Sequence, residues 1–486
     1  MKNTPNLIYI LADDMGYGDV SALNEKAAFR TPHFDSICAD GAAFTDAHAS
    51  SAVCTPSRYS ILTGRYNWRS RLKQYVLGGY SAPLIEEGRL TLAEMLRKQS
   101  YRTAMVGKWH LGMQFGGEYT EEPAFAPCEG VDYAAPITGG PTDHGFDYYY
   151  GISASLDMPP YVYIENDHFT ALPTHETEDV EKRFWRKGPT ADDFRHEEVL
   201  PHLTAKALER IEAMKDDPFF LYFALPAPHT PILPAEEFRG RSGTNEYGDF
   251  VLMCDDVVGQ IKAKLKELGL EENTILIYTS DNGCSPMADY EELARFGHNP
   301  SYIFRGHKAD IYEGGHRIPL LVQWPGVIPS GGRCERTVCL TDIMATMAEI
   351  TGYALPDTAG EDSFSNLPLW KNPDGGQVRR YTVHQSIDGS LALRMDGMKL
   401  EMCPGSGGWS DPVPGEEPED ALPFQLYNMG DDIGERKNIA AENGDTVREM
   451  RAVLAEIVRN GRSTPGAPQR NTGGEEWETI SWLWED

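Results

Sequence analysis

The chain opens on an apolar run, Asn6–Ala12, that no polar residue interrupts after the first. A continuous run of this length, rather than an alternating one, predicts a strand buried on both faces of a parallel sheet. The same pattern predicts strands over residues 101–106, 219–225, 274–279 and 319–324. Between them the apolar positions recur at helical spacing, over residues 90–99 and 247–268, the second with a lysine-rich outer face. Strands alternating with helices predict an α/β fold: a large, mostly parallel sheet sandwiched by helices.

Two stretches fit this rhythm poorly. Residues 114–144 are rich in Gly, Pro and acids, and residues 157–198 are polar with scattered aromatics. Long irregular insertions in such enzymes either line the substrate opening or decorate the surface, and the pattern leaves both open. The composition shifts again around Gly375 and Gly376. Beyond it come short strand-like runs (381–385, 391–395, 398–402, 423–429), a Gly- and Pro-rich loop over 404–418, and a helical pattern over 446–460. The reading is a catalytic domain over 1–374, a small C-terminal antiparallel sheet with one helix over 375–465, and an acidic tail over 466–486. That tail carries Trp477, Trp482 and Trp484. Tryptophans are costly to leave in water, so it is predicted to dock on its own body or on a second subunit.

Composition narrows the partners. At 486 residues the chain exceeds what one core usually holds. Acidic residues outnumber basic ones 74 to 44, a net charge of −30, which disfavours nucleic acid and anionic membrane surfaces. No run of eighteen apolar residues predicts a membrane span. The eight cysteines form no C-x-x-C and no zinc-type spacing with histidine, and all but Cys54 read as reduced core residues. The N-terminus leads directly into a strand, which predicts a cytoplasmic protein, or a periplasmic or secreted one if a leader has been trimmed.

The polar clusters stand where the predicted strands end. Asp13 and Asp14 follow the first; Gly107, Lys108, Trp109 and His110 follow the second. His229 closes the strand from 219, and Ser280, Asp281, Asn282 and Gly283 close the one from 274. In open α/β sheets this carboxyl edge is where ligands bind. Asp13, Asp14, Asp281 and Asn282 offer only oxygen, which favours calcium or magnesium over zinc. Alone, Asp281-Asn282-Gly283 also reads as a turn.

Pro56 and Gly64 bracket a short predicted helix, which puts Cys54 at its N-terminus. Free backbone N–H groups there favour negative charge, and Arg58 follows one turn on. An unmodified cysteine in that place would be an activated thiolate. Lys108, His110, His229 and Lys308 complete a cationic set. Several cations beside a metal suit an anion of concentrated charge, such as sulfate or phosphate.

Cys54-Thr55-Pro56-Ser57-Arg58 has the form C-x-P-x-R. With the rest of Cys54–Gly64 and the Leu11–Asp14, Gly107–Gly112, Gly145-Phe146-Asp147, His229, Ser280–Gly283, Lys308, Tyr312–Gly315 and Leu426–Met429 blocks, it resembles the type I, formylglycine-dependent sulfatases of the alkaline phosphatase superfamily, over nearly the whole chain. The resemblance implies that a maturase oxidises Cys54 to formylglycine, whose hydrate supplies one hydroxyl to attack sulfur and a second to expel sulfate. It implies that Asp13, Asp14, Asp281, Asn282 and residue 54 hold calcium, with magnesium as the alternative ion. Arg58 and Lys108 then steady residue 54, and Lys108 and Lys308 contact sulfate. His110 is the base on the hydroxyl that does not attack, and His229 with Lys308 assists the leaving alcohol. The family's Gly-Ile-x-x-Ser block corresponds to Gly151–Ser155, so Ser155, with Ser153 as the alternative, contacts the nucleophile or sulfate. The aromatic segment 145–167 resembles bacterial carbohydrate sulfatases more than lysosomal arylsulfatases. The implied substrate is a sulfate monoester on a sugar of mucin or glycosaminoglycan type. The alternatives are a phosphonate or phosphodiester hydrolase of the same superfamily and a non-catalytic sulfated-glycan-binding protein. Whether the chain forms a homo-oligomer is left open.

Overall fold

Strand β1 (Asn6–Ala12) is buried along its whole length and sits in the middle of a ten-stranded sheet. The computed structural model describes residues 4–119, 125–474 and 476–483. On either side of β1 lie β2 (Arg102–Lys108), β3 (Tyr148–Ile152), β4 (Phe219–Ala224) and β5 (Thr274–Ser280). The order β5-β1-β4-β2-β3 is parallel throughout. Beyond β5, β6 (Leu320–Gln323) turns antiparallel, and short strands extend both edges.

The two-sided burial of β1 explains its unbroken apolar run. Ile8 and Ile10 face a core shared with α3 (Val199–Met214) and α4 (Glu246–Glu267). Leu7, Tyr9 and Leu11 face the opposite core, with α1 (Cys54–Thr63) and α2 (Leu92–Lys98). Local chemistry sets the helix ends. Thr91 caps α2 through its hydroxyl to Glu94 N at 3.1 Å, and Asn245 caps α4 at Gly248 N at 3.2 Å. Gly64 ends α1 in the left-handed region, at φ 63°.

The register aligns the strand ends. Ala12 pairs with Ser280, Leu11 with Ala224, and Ala224 with Gly107. Asp13, Lys108, Leu225 and Asp281 therefore leave the sheet at one edge.

The C-terminal strands β7 (Tyr381–Gln385), β8 (Leu391–Met395), β9 (Met398–Glu401) and β10 (Gln425–Asn428) form an antiparallel sheet in chain order. Helix α5 (Gly444–Arg459) covers it with Val447, Met450, Leu454 and Ile457. The tail docks on its own body: Trp482 is buried in this core, and the Trp477 ring lies 4.1 Å from Lys73 Nζ. Trp484 lies outside the described residues. A polar seam joins the two sheets, with His48 Nδ1 3.0 Å from His316 Nδ1 and the His316 ring stacked on His384 at 3.9 Å. Every ring nitrogen of these three histidines has a protein partner.

Residues 157–198 correct one expectation. They were expected to be irregular, but they contain a hairpin, His175–Asp179 paired with Trp185–Thr190. The first of these strands is largely exposed, so its polar residues hide the strand signal. Cys38, Cys54, Cys254, Cys284, Cys334, Cys339 and Cys403 form no disulfide. No described helix is long and apolar enough to cross a membrane.

Candidate active site

Four adjacent parallel strands deliver the site. Asp13 and Asp14 follow β1, Lys108 ends β2, His229 follows β4, and Asp281 and Asn282 follow β5. Cys54 opens α1 against them and Lys308 arrives on a loop. The Asp13, Cys54 and His229 ligand atoms lie within 4.8 Å of one another, as do those of Asp13, Asp14 and Asp281. Two of these residues hold strained backbone: Asp14 at φ 63° and His110 at φ 57°. Gly107 (φ 113°) lets β2 approach β4, since a Cβ there would meet Ala224 O at 1.8 Å.

Three carboxylates face three cations. Lys108 Nζ lies 2.6 Å from Asp13 Oδ2, Lys308 Nζ 2.7 Å from Asp14 Oδ2, and Arg58 Nη2 2.8 Å from Asp281 Oδ2. Arg58 also donates to Lys108 O at 3.0 Å, so it ties α1 to the end of β2. Asn282 Nδ2 donates to Asp14 Oδ1 at 2.7 Å. All these groups are buried. Burial opposes ionisation of Asp13, but Lys108, His229 and Arg58 overcome it and hold its carboxyl well below the usual range. Burial, reinforced by Asp13, pushes Asp281 the other way, to about 7, against the pull of Arg58. Asp281 thus resists ionisation without more positive charge beside it.

The donor set fits a hard divalent cation. Asp13 Oδ1 and Asn282 Oδ1 are buried oxygens without a hydrogen-bond partner. Orphaned acceptors of this kind are costly unless a ligand satisfies them. All four residues contribute oxygen, the chemistry calcium or magnesium selects.

Two expectations about charge change. Cys54 does not behave as an activated thiolate: burial pushes its thiol up to about 11, outweighing Lys108 and Lys308. His110 is not a cation. Burial, then Lys108, holds it well below the usual histidine range. Its Nε2 lies 2.7 Å from Leu77 O, which can only accept, so Nε2 carries the proton and Nδ1 keeps a bare lone pair. That buried Nδ1 has no partner.

Ser155 joins the group, its Oγ 3.2 Å from both Lys108 Nζ and His229 Nδ1. Ser153 Oγ is buried without a partner, and its carbonyl accepts from His110 N at 2.9 Å. A cavity of 460 Å³ opens over Cys54, His229 and Lys308. Both irregular stretches contribute to its wall, through Phe125 and through Asp157, Phe184 and Arg186. Tyr75 and Trp409 also line it, and nothing in the sequence pattern marked them. They are single aromatics in loops, without periodicity or motif.

Residues 5–353 match the protein-family model described as Sulfatase. The chain is 33% identical to an N-acetylgalactosamine-6-O-sulfatase of Bacteroides thetaiotaomicron, over 93% of each chain. It is 27% identical to the mouse N-acetylgalactosamine-6-sulfatase, over 96% of this chain and 88% of that protein. A solved structure from work on the metabolism of multiple glycosaminoglycans by Bacteroides thetaiotaomicron superposes with a TM-score of 0.82, at 32% identity, covering 94% of this chain and 99% of the other. The phosphonate monoester hydrolase of Agrobacterium radiobacter shares the fold alone, with a TM-score of 0.61 at 18% identity over 93% and 95% of the two chains.

Proposed function

The chain belongs to the sulfatase family, whose members are sulfuric ester hydrolases, and from that premise we propose that it removes sulfate from a sugar monoester, of the N-acetylgalactosamine 6-sulfate class, through formylglycine made from Cys54. The convergence of Asp13, Cys54 and His229, the last two of which line one cavity, carries this reading. Relatives along nearly the whole chain act, by their names, on N-acetylgalactosamine 6-sulfate. A cavity with aromatic walls also suits a sugar ring.

In this reading Cys54 Sγ occupies the place of the formylglycine oxygens. Formylglycine supplies, as its hydrate, a nucleophile that a plain cysteine lacks. Asp13, Asp14, Asp281 and Asn282 would hold a calcium ion, with magnesium as the alternative, which would supply Lewis acidity and positive charge beside residue 54. The three carboxylates and three cations nearly cancel, so the added divalent charge gives the site a positive balance suited to an anion.

Lys108 and Lys308 bind sulfate oxygens, from the positions where they now hold Asp13 and Asp14. Charge building on those oxygens in the transition state strengthens both contacts. His229 Nε2 lies 3.5 Å from Asp14 Oδ2, while its Nδ1 lies 2.5 Å from Thr230 O. Thr230 O can only accept, so Nδ1 keeps one proton; in the imidazolium form Nε2 carries a second, which passes to the departing sugar oxygen, with Lys308 beside it. His110 takes up a proton at its bare Nδ1. Arg58 fixes Asp281 and the end of β2, and Ser155 spans Lys108 and His229.

The test uses protein produced with a formylglycine-generating maturase and assayed on sulfated monosaccharides, an aryl sulfate and an aryl phosphonate. Sulfate release from an N-acetylhexosamine 6-sulfate above all others is the expected outcome. A clear preference for the phosphonate, or no sulfate release from any substrate, would overturn the proposal.

A further inference from the structure

Tyr75, Met287 and Trp409 are 56%, 40% and 47% exposed. They are three of the eight large apolar side chains that the described residues leave exposed, and all three line the single cavity over Cys54. Singly scattered apolar residues need no explanation, but a cluster at the mouth of a catalytic cavity marks a binding surface.

The three come from three different parts of the fold, and the two aromatics are held in place. Trp409 belongs to the Gly- and Pro-rich loop of the C-terminal region. Its backbone N–H donates to Asp310 Oδ1 at 2.7 Å, and Ser410 N to the same oxygen at 3.0 Å. Gly408 packs so closely that a Cβ would meet Ala309 C at 2.6 Å. Asp310 stands two residues after Lys308, so the loop that carries the sulfate-binding lysine also fixes the exposed tryptophan. Tyr75 is held in the left-handed region, φ 61°, by its N–H to Ile387 O at 2.8 Å. Ile387 N in turn donates to Ala309 O at 2.9 Å. Both exposed rings are thus tied to the segment that places Lys308. An exposed ring carried on backbone that is already fixed loses less entropy when a ligand covers it.

We propose that Tyr75, Met287 and Trp409 form a second subsite, which holds the sugar adjoining the sulfated residue of an oligosaccharide. The proposal rests on the sulfated-saccharide reading above. A pyranose offers an apolar C–H face and a polar rim, and an exposed indole or phenol ring covers the first while leaving the second in water. The polar end of the cavity, with Lys308, His229 and Cys54, is committed to the ester. Of the cations that line the cavity, Arg186 is paired with Asp157 and Lys308 with Asp14, so the adjoining residue is read by its ring and not by an anionic group.

The test compares kcat/KM on N-acetylgalactosamine 6-sulfate, on a disaccharide carrying that residue at its non-reducing end, and on an aryl sulfate, for formylglycine-loaded wild type, Trp409→Ala and Trp409→Phe. Wild type is expected to favour the disaccharide over the monosaccharide. Trp409→Ala should cut that preference about tenfold, chiefly through KM, and Trp409→Phe should keep most of it. Melting temperatures of the variants check for a folding defect. No disaccharide preference in wild type, or an equal loss on both sugars in Trp409→Ala, would overturn the subsite. Turnover of the aryl sulfate with no turnover of either sugar would instead overturn the saccharide reading beneath it.

Discussion

At the scale of single residues, the account assigns opposite proton roles to two histidines, and leaving-group chemistry separates them. His229→Ala should lower kcat on a sugar sulfate by roughly 10²–10⁴-fold and on an aryl sulfate far less, because a phenolate departs without a proton. Equal losses on both would remove its leaving-group role. His110→Ala should lower kcat on both substrates alike, with KM little changed, as steady-state rates will show. Asp281→Ala tests the ion. Wild type should gain thermal stability on adding calcium, about 2.7 kcal/mol at a hundredfold excess over Kd, and the variant should gain little. An undiminished calcium shift in the variant would contradict the assignment. Most of this site is legible in the sequence because adjacent aspartates, a lysine and histidines stand directly after apolar runs. Tyr75 and Trp409 were not, because a lone aromatic in a loop acquires meaning only from what folds beside it. The neutral state of His110 was equally hidden, since burial and the Lys108 charge are properties of the fold.

At the scale of elements, the site depends on close backbone approaches that tolerate no side chain. Gly283 follows Asn282, and a Cβ there would meet Gly314 O at 1.9 Å. Gly283→Ala should therefore destabilise the protein by about 1–3 kcal/mol and lower calcium affinity, readable by chemical denaturation and calcium titration. The parallel strands were legible as continuous apolar runs because both faces of β1 are covered. The hairpin over 175–190 was not, because its first strand faces mostly solvent and carries no apolar face. Strand β6 was legible as a strand but not in direction, since antiparallel pairing at a flank leaves no mark on a short buried run. The N-terminal turn of α1 was readable from Pro56 and Gly64, and it places residue 54 where the four strand ends meet.

At the scale of the whole molecule, the polar seam between the two sheets makes stability pH-dependent. Burial, then Arg394, pushes His48 down to about 4, and burial holds His316 and His384 well below the usual range. Between pH 6.5 and about 4 the unfolded chain binds a proton at His48 that the folded chain refuses. Stability therefore rises with pH across that window and is lost as pH falls, by about 3 kcal/mol for His48 alone. Melting temperatures should drop steeply below pH 6.5, and His48→Gln should flatten the fall. The seam had no sequence signal, because its three histidines are scattered singly along the chain, at positions 48, 316 and 384. The tail's docking had one, in Trp477 and Trp482. The most direct measurement takes batches made with and without the maturase, quantifies the aldehyde at residue 54 by peptide mass spectrometry, and measures sulfate release from N-acetylgalactosamine 6-sulfate. The account predicts release in proportion to aldehyde content and none from Cys54→Ala. Equal release from unconverted protein, or none from fully converted protein, would contradict it.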